Sequence, residues 1–327
     1  MAYNSRKICK RIKVFLVICC FVLPLYFIYS HSLVKEGALC ANKACSCETC
    51  VSDRGISHWF DMRFNSSIQP QLTSSNEKIP QDILLWWLGL QSRRPRMRMM
   101  YSRLFETMPK FNSVENSRSC HCRRCAIVGN SGNLKGSSYG QLIDSQDYVI
   151  RMNRAVTKGY ELDVGKKTTH HFMYPESAKD LGANVHLVLV PFKPLDLLWL
   201  ENVLLNRNFL LMFRKLKGPI TADRDKVIIF HPVFFKYVHD KWTEHYGKYP
   251  STGMLALIFG LHICDQLSVF GYGWDRQGNW HHYWENNRLG GAFRVTGVHN
   301  ATFEMNVITR LAEIGKIQLY RGRPGTP

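Results

Sequence analysis

Residues 122–153 read CRRCAIVGNSGNLKGSSYGQLIDSQDYVIRMN, the most informative pattern in the chain. The apolar run 126–128 predicts a short buried strand, and the glycine- and asparagine-rich run 129–133 predicts a tight turn directly after it. Many α/β proteins use a strand followed by such a turn to present backbone N–H groups to a nucleotide or phosphate. The pattern alone does not separate that role from an ordinary loop closure.

Further apolar runs continue from this stretch towards the C-terminus. Short β-rich runs predict strands at residues 126–128, 148–151, 168–173, 185–190, 227–230, 267–270 and 317–320. Longer segments predict helices at residues 194–205, 232–245, 252–263 and 302–314. This alternation predicts an α/β fold with a mainly parallel central sheet and helices on both faces, in one domain that spans residues 58–327.

The chain of 327 residues carries a formal net charge of +18, from 43 lysines and arginines against 25 acidic residues. This excess favours an anionic partner, such as nucleic acid, a membrane surface or an acidic small molecule. The basic residues are scattered and form none of the usual nucleic-acid-binding modules. The densest cluster, at residues 93–98, is typical of a solvated loop. We therefore expect no nucleic-acid partner.

The N-terminus predicts a membrane anchor. A basic tail, residues 1–13, precedes an apolar anchor at residues 14–32, of which residues 14–29 carry no charge. The basic flank should stay cytoplasmic, which predicts a single-pass type II protein with a cysteine-rich stem at residues 33–57 and a lumenal body. A cleaved signal peptide is the alternative, although no good small-x-small cleavage site is present.

Two further patterns fit a lumenal body. Asn65 and Asn300 each begin an N-x-S/T sequon. Eight cysteines follow the anchor, and an oxidising lumen should join most of them in disulfides. The alternative is a zinc site built from Cys47-x-x-Cys50 and Cys122-x-x-Cys125.

Asparagines and a second turn are candidates for ligand binding. Asn130 and Asn133 in the first turn, and Asn153 after the next strand, can offer amide groups at the carboxyl edge of the sheet, where open sheets bind ligands. Each can also be a plain turn former. Residues 249–253, YPSTG, open an apolar helix whose free N–H groups can attract an anion, or they form an ordinary N-cap.

Two histidine blocks complete the candidate site. Residues 280–285, WHHYWE, predict a pocket rim with an imidazolium able to donate to a phosphate; a zinc pair or a packed aromatic cluster are the alternatives. His299 precedes the last helix and is a natural general base for a sugar hydroxyl. Glu304 lies about one turn further on, where it either orients that imidazole or complements the helix N-terminus.

In order and spacing these blocks resemble the sialylmotifs of the animal sialyltransferases. The large motif resembles residues 122–176, including DVGKKTTHH at residues 163–171, and the small motif resembles residues 249–271. The third motif resembles residues 281–285, and the very small motif resembles His299 with Glu304. The details Trp86-Trp87, YPSTG and HHYWENN are most similar to the α2,3-sialyltransferases that act on Galβ1,3GalNAc.

This resemblance implies an inverting transfer of sialic acid from CMP-sialic acid to the 3-hydroxyl of terminal galactose, on glycoproteins or glycolipids of the Golgi lumen. It implies a variant Rossmann-like (GT-A-like) fold and no metal or other cofactor. It also implies that His299 is the base and that His282 holds and protonates the departing phosphate. The implied donor-binding residues are Asn130, Asn153, Ser251, Thr252, Gly253, Tyr272 and Trp280, and the implied acceptor-binding residues are Gln91 and Tyr249.

The resemblance further implies three disulfides, Cys45–Cys50, Cys47–Cys122 and Cys125–Cys264, the last expected to tie the nucleotide turn to the small motif. Two residues depart from the family pattern: Asn300 stands where the family usually has aspartate, and Phe213 where it often has tyrosine. These departures keep open a catalytically silent glycan- or CMP-binding protein of the same fold. Residues 223–225, DRD, mimic the metal motif of other glycosyltransferases but precede a strand, which predicts a surface loop.

Overall fold

Seven short apolar segments form the strands of a single sheet in this computed structural model. The structure describes residues 22–26, 29–30, 45–90, 121–205, 220–274, 279, 281–286 and 297–322. Most strand residues are buried, as expected when both faces of a sheet are covered. The strands are β1 Arg124–Val128, β2 Tyr148–Met152, β3 His170–Met173, β4 His186–Leu189, β5 Val227–Ile229, β6 Gln266–Phe270 and β7 Gln318–Tyr320. All seven predicted strands are confirmed.

The order of the strands is β5-β4-β3-β2-β1-β6-β7, and all six strand pairings are parallel. From β1 the chain builds outward to β5 on one side, then returns to place β6 and β7 on the other. The direction of construction therefore reverses between β1 and β6. Open parallel sheets bind ligands at such a point, outside the carboxyl ends of the strands. The predicted α/β fold with a parallel sheet is confirmed.

Helices cover the sheet. Those of the α/β domain are α1 His58–Asp61, α2 Gln81–Leu88, α3 Gly140–Asp144, α4 Glu161–Val164, α5 Leu195–Leu204, α6 Pro232–Tyr237, α7 Thr252–Ile263 and α8 Ala301–Glu313. The predicted helix at residues 232–245 is shorter than expected, because α6 gives way to a π-helix at Val238–Trp242. The short helices α3 and α4 were not predicted, since four or five residues are too few to show a period.

Helix α7 is the centre of the core. Ten of its twelve residues are buried, and it packs against β1, β2, β3 and β6. Each fully buried large apolar side chain contributes about 1.5–3 kcal/mol. Gly260 lets the helix approach β1 closely, because a Cβ there would lie 2.9 Å from Cδ1 of Ile127. The N-terminus of α7 is thereby held firmly at the carboxyl edge of the sheet.

Disulfides join Cys47 to Cys122 and Cys125 to Cys264, as predicted. Cys45 and Cys50 are also disulfide-bonded, and their pairing with each other stays a prediction. The two bonds exclude the zinc alternative for the Cys122-x-x-Cys125 pair, because a disulfide sulfur is not a thiolate ligand.

The position of the Cys125–Cys264 bond corrects one expectation. Cys125 lies near the start of β1, and Cys264 ends α7 just before β6. The bond therefore lies at the amino edge of the sheet, opposite the turn at residues 129–133. It holds α7 against the core and does not touch the nucleotide turn.

The chain divides into two compact units, Met1–Ser46 with Arg118–His121, and Cys47–Ser117 with Cys122–Pro327. The second is the single α/β domain described above. Of the first, the structure describes only residues 22–26, 29–30, 45–46 and 121. Within the described ranges no helix is long and apolar enough to cross a membrane. The predicted anchor at residues 14–32 lies largely outside those ranges, and the boundaries of tail, anchor, stem and lumenal domain stay predictions.

Candidate active site

The turn after β1 lies at the reversal point of the sheet. The N–H of Gly129 donates to the carbonyl of Phe270 at 2.8 Å, and the N–H of Ser131 donates to the carbonyl of Gly271 at 3.0 Å. A Cβ on Gly129 would lie 2.3 Å from the oxygen of Gly271. Only glycine permits this approach of two backbones, so the glycine signature read from the sequence reflects the crossing of the β1 and β6 loops.

Three asparagines bring acceptor oxygens to this turn. Asn130 donates through Nδ2 to the carbonyl of Met152 at 3.2 Å, and Asn133 donates to the carbonyl of Tyr272 at 2.8 Å. The Oδ1 atoms of Asn130, Asn133 and Asn153 are buried and accept no hydrogen bond from any described residue. A buried acceptor without a donor costs about 1–3 kcal/mol, so this edge suits a ligand that carries amino or hydroxyl donors.

Asn153 is held in an unusual backbone conformation. Its φ is +56°, in the left-handed region that non-glycine residues seldom adopt. Its N–H donates to the carbonyl of Phe172 at 2.7 Å, and its own carbonyl lies 2.6 Å from Nε2 of His171. A carbonyl only accepts, so Nε2 carries the proton. Burial lowers the pKa of His171 to about 4, which keeps the ring neutral. His171 is thus a positioning residue whose role the sequence did not show.

The segment around His282 lies directly on the turn. His282 forms a β-bridge with Ser131, and the N–H of Gly132 donates to the carbonyl of His281 at 2.8 Å. The His282 ring stacks on Trp284 with ring centroids 4.5 Å apart. Its Nδ1 lies 2.9 Å from Oε1 of Glu285. With Nδ1–H donating to that carboxylate, Nε2 is the nitrogen that can contact a ligand.

His299 bonds to a backbone carbonyl instead of a carboxylate. Its Nδ1 lies 2.8 Å from the carbonyl of Tyr249, which can only accept, so Nδ1 carries the proton and Nε2 is the basic nitrogen. Burial lowers the pKa of His299, and the bond to the Tyr249 carbonyl offsets part of this shift. The ring of Tyr249 packs edge-on against the imidazole at 5.0 Å. His299 is therefore a neutral, oriented imidazole near pH 7, as a general base requires.

Glu304 lies in the first turn of α8, as the predicted complement of that helix N-terminus requires, and its carboxylate also contacts a second helix. It is 7% exposed, and its carboxylate accepts hydrogen bonds from the N–H and the hydroxyl of Ser251, at 2.7 Å and 2.5 Å. Burial raises the pKa of Glu304 to about 7, although the two bonds from Ser251 act in the other direction. Ser251 is also the N-cap of α7, since its Oγ accepts from the N–H of Met254 at 3.1 Å. Glu304 thus joins the start of α8 to the start of α7.

Tyr272 completes the connection between these elements. Its hydroxyl donates to the carbonyl of Gly253 at 2.9 Å, and its own carbonyl accepts from Asn133. Thr252 and Gly253, in the first turn of α7, are thereby brought to the loop that follows β6. Residues 249–253 therefore contain the N-cap of α7 and also lie beside the turn after β1, so the two interpretations of this segment are compatible.

Both histidines lie at the carboxyl edge of the sheet. His282 is in the loop after β6, and His299 immediately precedes α8, whose C-terminal end leads back to the amino end of β7. His282 contacts the turn through Ser131. His299 contacts Tyr249, which lies two residues before Ser251, the N-cap of α7. Tyr272 then joins the first turn of α7 to the turn after β1. The edge thus combines amide acceptors, a helix N-terminus, a basic imidazole and a carboxylate-paired imidazole.

Some predicted residues have other settings. Gln91, Trp280 and Phe213 lie outside the described residues. Asn65 is exposed, and its glycosylation stays a prediction. Asn300 caps α8, since its Oδ1 accepts from the N–H of Phe303 at 3.0 Å. Aspartate and asparagine are equally good N-caps, so this departure from the family pattern preserves the helix start.

Residues 223–225 lie before β5, at the amino edge of the sheet. Asp223 caps a short 3₁₀ turn by accepting from the N–H of Asp225 at 3.0 Å, and Arg224 and Asp225 are exposed. The predicted surface position of this DRD sequence is confirmed. It is on the opposite edge from the candidate site and takes no part in it.

The fold and this edge define a class of site, the one that α/β proteins use for nucleotide-type ligands. Residues 71–316 match the family Glycosyltransferase family 29 (sialyltransferase). The chain belongs to this family.

Named relatives are similar over most of their length. The chain is 51% identical over 292 residues, 89% of this chain and 83% of the relative, to the rat CMP-N-acetylneuraminate-beta-galactosamide-alpha-2,3-sialyltransferase 2. It is 44% identical over 336 residues, 97% of this chain and 99% of the relative, to the human enzyme numbered 1 in the same series. A crystal structure of a mammalian sialyltransferase in complex with Gal-beta-1-3GalNAc-ortho-nitrophenol is similar with a TM-score of 0.79 and 46% identity, covering 85% of this chain and 100% of that one.

Proposed function

We propose that this protein transfers sialic acid from CMP-sialic acid to the 3-hydroxyl of terminal galactose in Galβ1,3GalNAc, on glycoproteins or glycolipids, with inversion at the anomeric carbon. The observation that carries the proposal is the neutral, oriented imidazole of His299 at the same sheet edge as the asparagine-lined turn. The names of the rat and human relatives and the acceptor in the similar crystal structure support the substrate pair.

The donor is proposed to occupy the edge between β1 and β6. Asn130 and Asn153 offer Oδ1 atoms, which accept from none of the described residues, to amino or hydroxyl donors of the CMP portion. Ser251, Thr252 and Gly253 open α7, where the helix N-terminus favours a negative charge. Tyr272 closes the site from the β6 side, and Trp280 is proposed to flank it.

The reaction is proposed as a single in-line displacement. The galactose 3-hydroxyl oxygen bonds to the anomeric carbon of sialic acid while the bond from that carbon to the phosphate oxygen breaks. Nε2 of His299 takes the hydroxyl proton, and Nε2 of His282, supported by Glu285, donates a proton to the departing phosphate. CMP leaves with one phosphate, so hydrogen bonds and one imidazolium suffice, and the proposed reaction uses no metal or other cofactor.

The acceptor is proposed to be held by Tyr249 and Gln91. Tyr249 packs on Phe192 at 5.0 Å and on His299, so its ring lies between the core and the base. Aromatic faces suit the apolar face of galactose, and a rigid ring fixes the hydroxyl near the proton acceptor.

The cell-biological setting and the fold class belong to the same proposal. The basic flank and apolar run at residues 1–32 support a single-pass type II anchor in the Golgi membrane with the domain in the lumen. The disulfides support an oxidising compartment. The parallel sheet with its ligand turn at the strand reversal supports a variant Rossmann-like, GT-A-like classification.

The test is a transfer assay with the purified full chain in detergent. CMP-sialic acid and a nitrophenyl Galβ1,3GalNAc acceptor should give a product that an α2,3-specific sialidase cleaves. The rate of sialic acid transfer should be the same with and without excess EDTA. A Galβ1,4GlcNAc acceptor serves as the comparison and should react more slowly. CMP binding without turnover on any acceptor would contradict the proposal and support a catalytically silent protein.

A further inference from the structure

A second cluster of ligating side chains lies where α6 ends. There the helix widens into the π-helix Val238–Trp242, in which the N–H of Thr243 donates to the carbonyl of Val238 at 3.0 Å. The N–H of His245 then folds back onto the carbonyl of His239 at 3.1 Å. Single π-turns within helices are rare and are frequently found at functional sites.

The backbone after the π-helix is strained. Glu244 has a φ of +46° and His245 a φ of +63°, although neither residue is glycine. Left-handed conformations of such residues cost about 1–3 kcal/mol each and persist where the surroundings enforce them. The strained pair places the His245 ring edge-on against His239, with centroids 5.0 Å apart.

Three groups converge at this turn. His239, Asp240 and His245 each offer one ligand atom, and these atoms all lie within 4.8 Å of one another. Two imidazoles and a carboxylate are the protein ligands of many zinc sites, and water is the fourth ligand. The bonds from zinc to such nitrogen and carboxylate oxygen atoms are about 2.0–2.2 Å long. Since the side chain of His245 is 65% exposed, it can move the short distance that coordination requires.

His239 supplies the second observation. It is 5% exposed, and its Nδ1 has no hydrogen-bond partner within the described part of the chain. A buried polar nitrogen without a partner is costly unless a ligand uses the site.

Lys236 opposes a cation here. Its ammonium contacts both carboxylate oxygens of Asp240, at 2.5 Å and 2.6 Å. It also lies 5.5 Å from the ring centroid of Trp86, which stacks on His239. A divalent ion has to share the Asp240 carboxylate with this ammonium, so Lys236 weakens cation binding. Replacing Lys236 should therefore strengthen it, which provides a test of the site.

We propose that His239, Asp240 and His245 form a binding site for a divalent cation of the zinc class. The site is also connected to the proposed base. Two residues after His245, Gly247 forms a β-bridge with His299, and the carbonyl of Tyr249 accepts from the His299 imidazole. Coordination draws His245 towards His239, and this displacement is passed along the chain to the β-bridge between Gly247 and His299. A bound cation therefore lowers the rate of sialic acid transfer. This consequence rests on the proposed function, whereas the metal site itself does not.

Binding is measured first, without turnover. The full chain, purified in detergent through a tag without histidine, is freed of metal by dialysis against a chelator and titrated with Co²⁺ for its visible absorption. Zn²⁺ affinity is then measured from the displacement of Co²⁺. We expect one site, with affinity reduced at least tenfold in His245→Asn and increased at least threefold in Lys236→Met. The matched control is His58→Asn, which removes an exposed histidine in α1, away from the proposed site. All variants retain the cysteines of the wild type.

Equal Zn²⁺ affinity in the wild type and in His245→Asn would overturn the site. His239→Gln then checks the buried ligand, with its thermal transition recorded to separate misfolding from lost binding. Transfer is measured last: Zn²⁺ at saturating concentration should lower the rate of the wild type and of His58→Asn by threefold or more and leave His245→Asn unaffected. Binding with no change in the transfer rate would overturn the connection to His299, and a chain with no transfer at all would still report on the site through Co²⁺ absorption.

Discussion

Glu304, in the first turn of α8, accepts two hydrogen bonds from Ser251, the N-cap of α7. The two residues are 53 positions apart in the chain. Each helix start carries part of the proposed chemistry: α7 faces the donor phosphate, and His299 immediately precedes the N-cap of α8. The Ser251–Glu304 contact therefore fixes the distance between the proposed phosphate site and the proposed base.

Replacing Glu304 with glutamine should change how stability depends on pH. Burial raises the folded-state pKa to about 7, above the ordinary value of 4.5. The folded protein thus holds this proton more tightly than the unfolded chain, so stability from this group is complete below pH 4.5 and is lost as pH rises towards 7. The loss is about 3 kcal/mol at 1.36 kcal/mol per pKa unit.

Urea unfolding at pH 5 and pH 7.5 measures this effect. The difference in free energy of unfolding between the two pH values should be smaller in Glu304→Gln than in the wild type. Glu313→Gln, an exposed glutamate in the same helix, is the control and should behave as the wild type does. A wild type whose pH dependence equals that of Glu304→Gln would show that the carboxylate titrates normally.

Gly129→Ala should disrupt the turn after β1. The added Cβ would lie 2.3 Å from the carbonyl oxygen of Gly271, and both groups are backbone that cannot rotate away. We expect a loss of stability of at least about 2 kcal/mol and weaker CMP binding. Calorimetric titration with CMP and thermal unfolding check this. Gly182→Ala, whose Cβ would lie 3.9 Å from Cγ2 of Val185, is the control; equal CMP affinity in both variants would refute the close approach.

Removing the Cys125–Cys264 bond should affect stability more than donor binding. The bond closes a separation of 139 residues at the edge of the sheet opposite the site. A double replacement by alanine should lower the free energy of unfolding by about 2–5 kcal/mol. The KM for CMP-sialic acid should change less than threefold at a temperature where the variant is folded. A large rise in that KM with unchanged stability would instead support direct organisation of the donor site.

Glu285→Gln should slow transfer without abolishing it. The carboxylate of Glu285 lies 2.9 Å from Nδ1 of His282 and orients the ring, while the proposed donor is Nε2. We expect kcat to fall about tenfold in Glu285→Gln and about a hundredfold in His282→Asn, as for loss of a general acid. Rates with saturating donor and acceptor measure both. A Glu285→Gln rate equal to that of the wild type would remove Glu285 from the mechanism.

The sequence predicted the strands well because each is short, β-rich and buried on both faces, as residues 126–128 illustrate. It predicted the extent of α7 correctly because Pro250 and Ser251 mark its start and Cys264 its end. The order of the strands was not predictable, since the return of β6 to the side of β1 depends on contacts between distant segments.

The candidate site shows the same division. His299 and the asparagines were readable as polar residues at the ends of elements. The contact between Glu304 and Ser251 was not readable, because the two residues are distant in sequence. His171 was hidden inside a buried strand. The cluster around His239 was also missed, because adjacent residues in an ordinary helix point apart and the π-turn cannot be read from composition.

The most direct test of the account is the single-turnover transfer rate of His299→Asn. Asparagine can still donate a hydrogen bond to the carbonyl of Tyr249 but offers no basic nitrogen. We predict a rate reduced at least about a hundredfold, with CMP affinity within threefold of the wild type, because loss of a general base costs this much. A variant that binds CMP normally and transfers sialic acid at the wild-type rate would contradict the assignment of His299 as the base.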